Sequence, residues 1–556
     1  MRTTHPLSWL EAPRDDRGVE FFDATSAEHR PYTEVADRAI RVAGGLVEAG
    51  VPQGSIVPLL CTTGPDLISA FYGIQAAGCV VSVVAPPTAV SGNTHRDHIR
   101  AVVSALDADV LVVDSAHTEY VSKVMTEAGR VARLLPLEQL AAAPAARRTP
   151  DERALVQFTS GSSGSPRGVV ISHAALAANT AAIRAWEKAG PDDAWCSWLP
   201  MHHDMGLIGC LVVPVSGNNG LAVCTPETFI RDPRPYLRHF DASSVTRPAT
   251  ITATPAFGLQ RIVDKIGPGD LAGADFSHVR AVIVGAERID PALVRRFTEL
   301  LAQHGLAPRT LTPAYGLAES TLAVTGVPLA ATPTSVRVRR ADLRLGAEIT
   351  PVAEHEHEAD LIEVISCGQA LEGLEVRVTD EDGRPMAEGH VGELVVSGTS
   401  LADGYLGAPF NVGTTLTGGA LSTKDAAFEI AGEFFVLGRS GDSVKVNARS
   451  LFAEDVELLL ARAGLPTSRV CAVLGERNSQ ACAYVVLEDL DAWAAELAAE
   501  VLAKACPGTH HQVLQLPRGS IPRTTSGKSR RRQLWDQLSE SHPPTRPVTS
   551  TADHPA

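Results

Sequence analysis

The run Phe158-Thr159-Ser160-Gly161-Ser162-Ser163-Gly164-Ser165-Pro166-Arg167-Gly168 packs hydroxyls and glycines between two apolar stretches, with one fixed cation. Backbone N–H groups and hydroxyls of such a loop can face phosphate oxygens while Arg167 supplies charge. A flexible Gly/Ser turn has the same local composition. It is not a Walker A loop, because the Gly-Lys-Ser/Thr ending is missing and Gly168 follows Arg167.

Five further polar stretches could meet this loop. Trp198-Leu199-Pro200-Met201-His202-His203-Asp204-Met205-Gly206 sets two histidines and an aspartate before a Gly-containing helix start. No third and fourth metal ligands accompany them, so His203 reads as a ligand-facing side chain or as a structural cap. Gly285-Ala286-Glu287 follows an apolar run, and its small residues allow close passage of a flat ring or an acyl group. Tyr315-Gly316-Leu317-Ala318-Glu319-Ser320-Thr321 joins an aromatic face to a carboxylate. Tyr315 could stack on a base and Glu319 could hold Mg²⁺ against phosphates, although a surface turn with a buried tyrosine fits too. Asp425 could accept both ribose hydroxyls, with Arg439 near ribose or phosphate. Surface charges at strand ends look alike. Last, Gly519-Ser520-Ile521-Pro522-Arg523-Thr524-Thr525-Ser526-Gly527-Lys528 could carry a cation to charge developing between a carboxylate oxygen and an α-phosphate. A basic tail segment ending in Arg530, Arg531 and Arg532 is the plainer reading.

Elements must hold these stretches in place. Apolar periodicity predicts a helix over 33–49 and another over 67–77. Buried strands are predicted at 56–60, 80–84, 110–113, 155–158, 169–171, 281–284 and 310–313. The alternation favours an α/β body with parallel or mixed sheets, whose polar turns follow the strands. Beyond residue 363 the texture changes to shorter strands at 374–378, 392–396 and 434–437. A compact α+β unit follows residue 442, with helices at 454–463 and 492–504 and strands at 470–474 and 482–487. Residues 541–556 read as a disordered tail.

Composition narrows the classes. A chain of 556 residues needs several cores. A net charge of −15 argues against a general nucleic-acid binder but not against a local nucleotide pocket. Nine scattered cysteines without zinc spacing suit a reducing compartment. Without a signal-like start or a long apolar run, no stable membrane insertion is expected and a cytoplasmic location is the default.

Taken in order, these motifs closely resemble the adenylate-forming family of acyl-CoA synthetases, peptide-synthetase adenylation domains and luciferases. The resemblance runs from about Val19 to Leu538 and is strongest to the fatty acyl-AMP ligase branch. It implies a large N-terminal adenylation body of three subdomains (1–440) and a small, mobile C-terminal α+β domain (441–540). It also implies cofactors ATP and Mg²⁺ and the joining of a carboxylic acid to AMP with release of pyrophosphate. In that scheme 159–168 would hold the triphosphate, Tyr315 would line the adenine site, and Glu319 would assist Mg²⁺. Asp425 would bind ribose beside Arg439, and Lys528 would support adenylation.

The branch is suggested by the extra stretch between Thr321 and Ser366, an insertion near 326–362 containing Arg337-Val338-Arg339-Arg340. In the branch it resembles, such an insertion hinders the rotation used for CoA thioester formation. The acyl group passes instead to phosphopantetheine on an acyl carrier protein, in polyketide or nonribosomal secondary metabolism. An acyl- or aryl-CoA ligase, or a nitrite-activating diazotase using an aryl amine, would share the ATP motifs. Four positions depart from the family pattern: Arg167 for lysine, Lys424 for glycine before Asp425, Gly441 for lysine or aspartate, and Ala448 for glycine. Arg167 keeps the charge with a different hydrogen-bond geometry. Ala448 would crowd an approaching pantetheine.

Overall fold

The structure is a computed structural model. It describes residues 4–87, 93–127, 132–159, 167–353, 361–408, 410–412, 414–439, 443–446, 449–477, 480–523 and 529–541. Ser160, Gly161, Ser162, Ser163, Gly164, Gly441, Ala448, Lys528 and the tail from 542 onward lie outside the described residues.

Two largely parallel sheets form the body. In one, Arg153–Thr159, Val80–Val83, Ile56–Leu60, Val110–Val113 and Arg133–Pro136 run parallel in that spatial order. Their apolar runs are continuous because helices cover both faces; Val80–Val83 and Val110–Val113 are buried throughout. In the other, Leu311–Gly316, Ala281–Val284, Ile251–Thr254, Ala194–Ser197, Gly220–Val223 and Gly18–Phe22 are successive parallel neighbours. Helix Tyr32–Glu48 buries Val35, Ala39, Val42 and Leu46, one stripe at three- to four-residue spacing. Gly50, at φ +70°, ends it in a left-handed cap, with the Val51 N–H donating to Leu46 O at 3.0 Å.

A third, antiparallel sheet is built from Leu374–Thr379, Gly392–Gly398, Ala420–Ile430, Thr414–Thr417 and Asn411–Val412, with Glu433–Arg439 also paired to Ala420–Ile430. Ser335–Arg339, in the predicted insertion, pairs with Leu361–Ile365, which runs past its end at 362, and Val338 and Ile362 pack against Phe428 and Phe435 of this sheet. The C-terminal part has its own cores. Val470–Arg477, Gln480–Glu488 and His510–Leu516 form a sheet with Ala453–Arg462 and Ala492–Ala505 on one side. Leu534, Trp535 and Leu538 of Arg531–Ser541 cover the other. A large N-terminal body and a small C-terminal domain are thus both present. No described helix is long and apolar enough to cross a membrane.

Candidate active site

Parallel neighbours place their C-terminal ends on one edge, where open α/β sheets take ligands. The segments holding His203, Phe257, Gly285 and Glu319 all follow strands of the second sheet. Eleven singled-out residues are described: Thr159, Arg167, His203, Gly285, Ala286, Glu287, Tyr315, Gly316, Glu319, Asp425 and Arg439. All of them line one cavity of about 2230 Å³.

The loop after Thr159 is closed at its base by strand pairing, with Thr159 opposite Arg167 and Phe158 opposite Gly168. Arg167 lies over the ring of Tyr405, 5.3 Å from its centroid. The Tyr405 hydroxyl donates to Glu319 Oε1 at 2.7 Å and lies 2.6 Å from Thr414 Oγ1. Burial beside Glu319 pushes the Tyr405 hydroxyl up to about 12, so it stays a donor. Glu319 itself is buried, on a tight turn ending at Thr321, whose φ of +67° is unusual for a β-branched residue. The Thr321 hydroxyl donates to Ser400 O at 2.7 Å and the Ala402 N–H to Glu319 O at 3.0 Å, which hold the turn. Sequence reading missed Tyr405 and Thr414. They stand far along the chain from Glu319, and a lone Gly404-Tyr405 pair carries no motif.

A second constellation centres on Asp425. Its Oδ2 accepts from the Tyr315 hydroxyl at 2.5 Å and its Oδ1 lies 3.4 Å from Arg439 Nε. Asp425 and Arg439 face each other across paired strands, so strand register makes the contact. Burial raises the Asp425 carboxyl, and the Arg439 guanidinium opposes that. Asp425 is buried inside the strand Ala420–Ile430, which removes the alternative of a surface charge at a strand end. Lys424, at φ +64°, turns its ammonium to Glu393 Oε2 at 3.2 Å instead of adding a free cation beside Asp425. Tyr315 and Gly316 extend the strand Leu311–Gly316, so the alternative of a surface turn at Tyr315 does not hold. At Gly316 a Cβ would meet Leu322 O at 1.9 Å, and at Gly285 it would meet Ala314 O at 2.9 Å, so both keep the chain close.

His203 sits on the turn before Met205–Val212, a π-helical segment where an ordinary helix start was expected. Such wide turns recur at functional sites. Its ring centroid is 4.6 Å from that of His202, whose carbonyl accepts from Gln157 Nε2 at 2.8 Å. Ala286 takes φ +69°, and Glu287 Oε1 accepts from the Phe257 N–H at 2.8 Å, tying two neighbouring strand ends together. The segment before Lys528 is closed by Arg523 pairing with Ser529 and by the Arg530 N–H donating to Pro522 O at 2.7 Å. Those flanks line the same cavity. Across it, Arg288 pairs with Asp455, and Arg462 Nη2 lies 2.9 Å from Asp290 Oδ1, joining body and C-terminal domain.

Mg²⁺ suits this donor set. Mg²⁺ takes one or two carboxylates and leaves its other positions to phosphates and water, and Glu319 lines the cavity as one such carboxylate. Among the described residues, no group of three or more His, Cys, Asp or Glu could form a metal cage.

A family model described as AMP-binding enzyme matches residues 11–406. The long-chain-fatty-acid–AMP ligase FadD26 of Mycobacterium marinum is 30% identical over 91% of this chain and 90% of its own. The long-chain-fatty-acid–AMP ligase FadD32 of Mycolicibacterium smegmatis is 27% identical over 95% and 92%. A solved structure from work on fatty acyl-adenylate ligases of E. coli and L. pneumophila superposes with a TM-score of 0.86. It has 26% identity and covers 96% of this chain and 97% of that one.

Proposed function

Because the chain belongs to the AMP-binding enzyme family and is an adenylate-forming enzyme, we propose that it activates a fatty acid with ATP and passes the acyl group to a carrier-protein phosphopantetheine thiol. The observation that carries this reading is the convergence of both constellations, Arg167–Tyr405–Glu319 and Tyr315–Asp425–Arg439, on one cavity. The relatives named as fatty-acid–AMP ligases support the acid as substrate.

In this reading Asp425, oriented by Tyr315 and Arg439, accepts the ribose hydroxyls. The loop 159–168 and Arg167 hold the triphosphate, and Gly285, Ala286 and Gly316 leave room for the adenine beside Tyr315. Mg²⁺ held at Glu319 would screen phosphate charge; Tyr405 and Thr414 fix the carboxylate that holds it. His203 faces the incoming acid, and Lys528 stabilises charge where the two anions meet. A carboxylate oxygen attacks the α-phosphorus, an acyl–phosphate anhydride forms, and the bond to pyrophosphate breaks with the electron pair on the leaving oxygen. The thiolate then attacks the acyl carbon and AMP leaves. We place the domain boundary at 440/441 and the insertion at 326–362, where Arg340 lies 3.9 Å from Asp455 and braces the C-terminal domain.

The test supplies ATP, Mg²⁺ and a series of fatty acids with either CoA or a holo carrier protein, and reads products by mass. Acyl-carrier product is expected. Rapid acyl-CoA formation with no carrier loading would overturn the acceptor assignment.

A further inference from the structure

Four arginines flank Lys528, and the C-terminal domain itself holds three of them. Arg523 Nη2 donates to Ser468 O at 2.9 Å. Arg531 pairs with Glu454 and Glu457 of helix Ala453–Arg462. Arg532 Nε lies 3.4 Å from Asp536 Oδ1, one turn along its own helix. Arg530 differs. It is half-buried on the cavity wall, and among the described residues its guanidinium has neither a hydrogen bond nor an ion pair, with Nε buried. Burial alone lowers its pKa, and no carboxylate opposes that shift. By contrast, the buried Glu187 on the same wall is met by the Trp195 N–H. A cation drawn out of water without a counter-ion is costly, so Arg530 calls for an anion.

Its surroundings say which anion. Helix Asn93–Ala105 begins at the C-terminal edge of the first sheet. There His95 Nε2 lies 3.0 Å from Ala85 O, just beyond the strand Val80–Val83, and His95 Nδ1 lies 3.0 Å from the Tyr120 hydroxyl. Val81 stands opposite Leu155, and four residues further along each chain are Ala85 and Thr159. The helix start is thus pinned about one strand spacing, about 4.8 Å, from the strand that opens the loop 159–168. His98 follows one turn after His95 on the same side of that helix. Burial, then the Arg530 charge and His95, push the His98 imidazole down to about 4. Near neutrality it carries no charge and leaves that of Arg530 uncompensated. Arg530 therefore stands beside the phosphate loop, with Thr159, Arg167 and Pro86 on the same cavity.

We propose that Arg530 binds the β- and γ-phosphates of ATP and holds the pyrophosphate as it leaves. This rests on the reading of the cavity as an acid-activating site. When the bond from the α-phosphorus to the bridging oxygen breaks, its electron pair and one more negative charge pass to pyrophosphate. The guanidinium keeps its proton throughout and meets that charge with paired N–H donors. Arg167 belongs to the body and Arg530 to the C-terminal domain, so the polyphosphate is held by both. The phosphate of a carrier's phosphopantetheine has the same chemistry; the adjoining loop 159–168 favours the nucleotide.

The experiment follows acid-dependent exchange of pyrophosphate into ATP for wild type, Arg530→Gln and Arg530→Lys, varying pyrophosphate, ATP and fatty acid in turn. Arg530→Gln should raise the KM for pyrophosphate roughly tenfold or more, while the KM for the acid moves less than about twofold. Arg530→Lys restores the charge without the paired donors and should fall between the other two. A pyrophosphate KM unmoved in Arg530→Gln, or raised no more than that of the acid, would overturn the assignment. A second arm gives preformed acyl-adenylate to holo carrier protein. Transfer slowed in Arg530→Gln with an unmoved pyrophosphate KM would assign Arg530 to the carrier's phosphate and overturn the proposal. Should Arg530→Gln fail to fold, Arg530→Met is read on the same KM values. Wild-type exchange that needs no acid sinks the acid-activating reading together with this one; acid-dependent exchange with an unmoved pyrophosphate KM sinks only this one.

Discussion

Glu187→Gln gives a stability signature whose size follows from burial. The wild-type carboxyl ordinarily titrates at 4.5 and is pushed to about 8, mainly by desolvation. Asp193 pushes the same way, while Arg184, Trp195 and Arg280 oppose it. Between those two values the folded chain keeps a proton that the unfolded chain has released. Stability from this group is thus full below about 4.5 and is lost as pH rises through 8. A gap of about 3.5 in pH, at about 1.36 kcal/mol each, sets a ceiling of about 5 kcal/mol by pH 9. For a body of about 440 residues the unfolding entropy is about 0.9 kcal/mol/K, which converts that ceiling to about 5 °C. Glutamine keeps the shape and cannot ionise. The Tm of Glu187→Gln relative to wild type should therefore be about 2–5 °C more favourable at pH 9 than at pH 5. Scanning calorimetry at matched ionic strength reads this directly. A Tm difference identical at both pH values would refute the reasoning.

Three further substitutions probe the site. Tyr405→Phe removes the 2.7 Å donor to Glu319 while leaving a ring under Arg167; kcat for adenylate formation should fall about tenfold to hundredfold in a pyrophosphate-release assay. Asp425→Ala removes the acceptor of the Tyr315 hydroxyl and the carboxylate facing Arg439. The KM for ATP should rise about tenfold or more by ATP titration, and an unchanged KM would remove Asp425 from nucleotide binding. Gly209 lines the cavity, and a Cβ there would sit 3.2 Å from Leu322 Cδ2. Gly209→Leu should abolish activation of long acids and spare short ones; a uniform loss would place the acyl chain elsewhere.

The strands Ile56–Leu60, Val110–Val113 and Ala281–Val284 were legible to the residue because parallel strands buried on both faces write unbroken apolar runs. The polar stretches after strands were legible for a related reason, since glycines, hydroxyls and charges between apolar runs have few structural uses. Partners made by tertiary pairing were not. Gly404–Tyr405 becomes a strand only by joining Arg167–Ser172, and that pairing sets Tyr405 between Arg167 and Glu319. Lys424, standing where the family pattern has glycine, would add a cation beside the expected ribose site, but its backbone conformation sends the ammonium to Glu393. The π-helical turn Met205–Val212 shares the apolar character of a buried helix, and its hydrogen-bond pattern leaves no trace in residue type. Glu187 carries no local signal either; its burial comes from packing beside Trp195.

The most direct measurement is exchange of labelled pyrophosphate into ATP, with Mg²⁺, a carboxylic acid and no acyl acceptor. Exchange that requires the acid, and that falls roughly hundredfold in Lys528→Ala while nucleotide binding persists, is the expected result. Exchange indifferent to the acid, or unchanged in Lys528→Ala, would contradict the account.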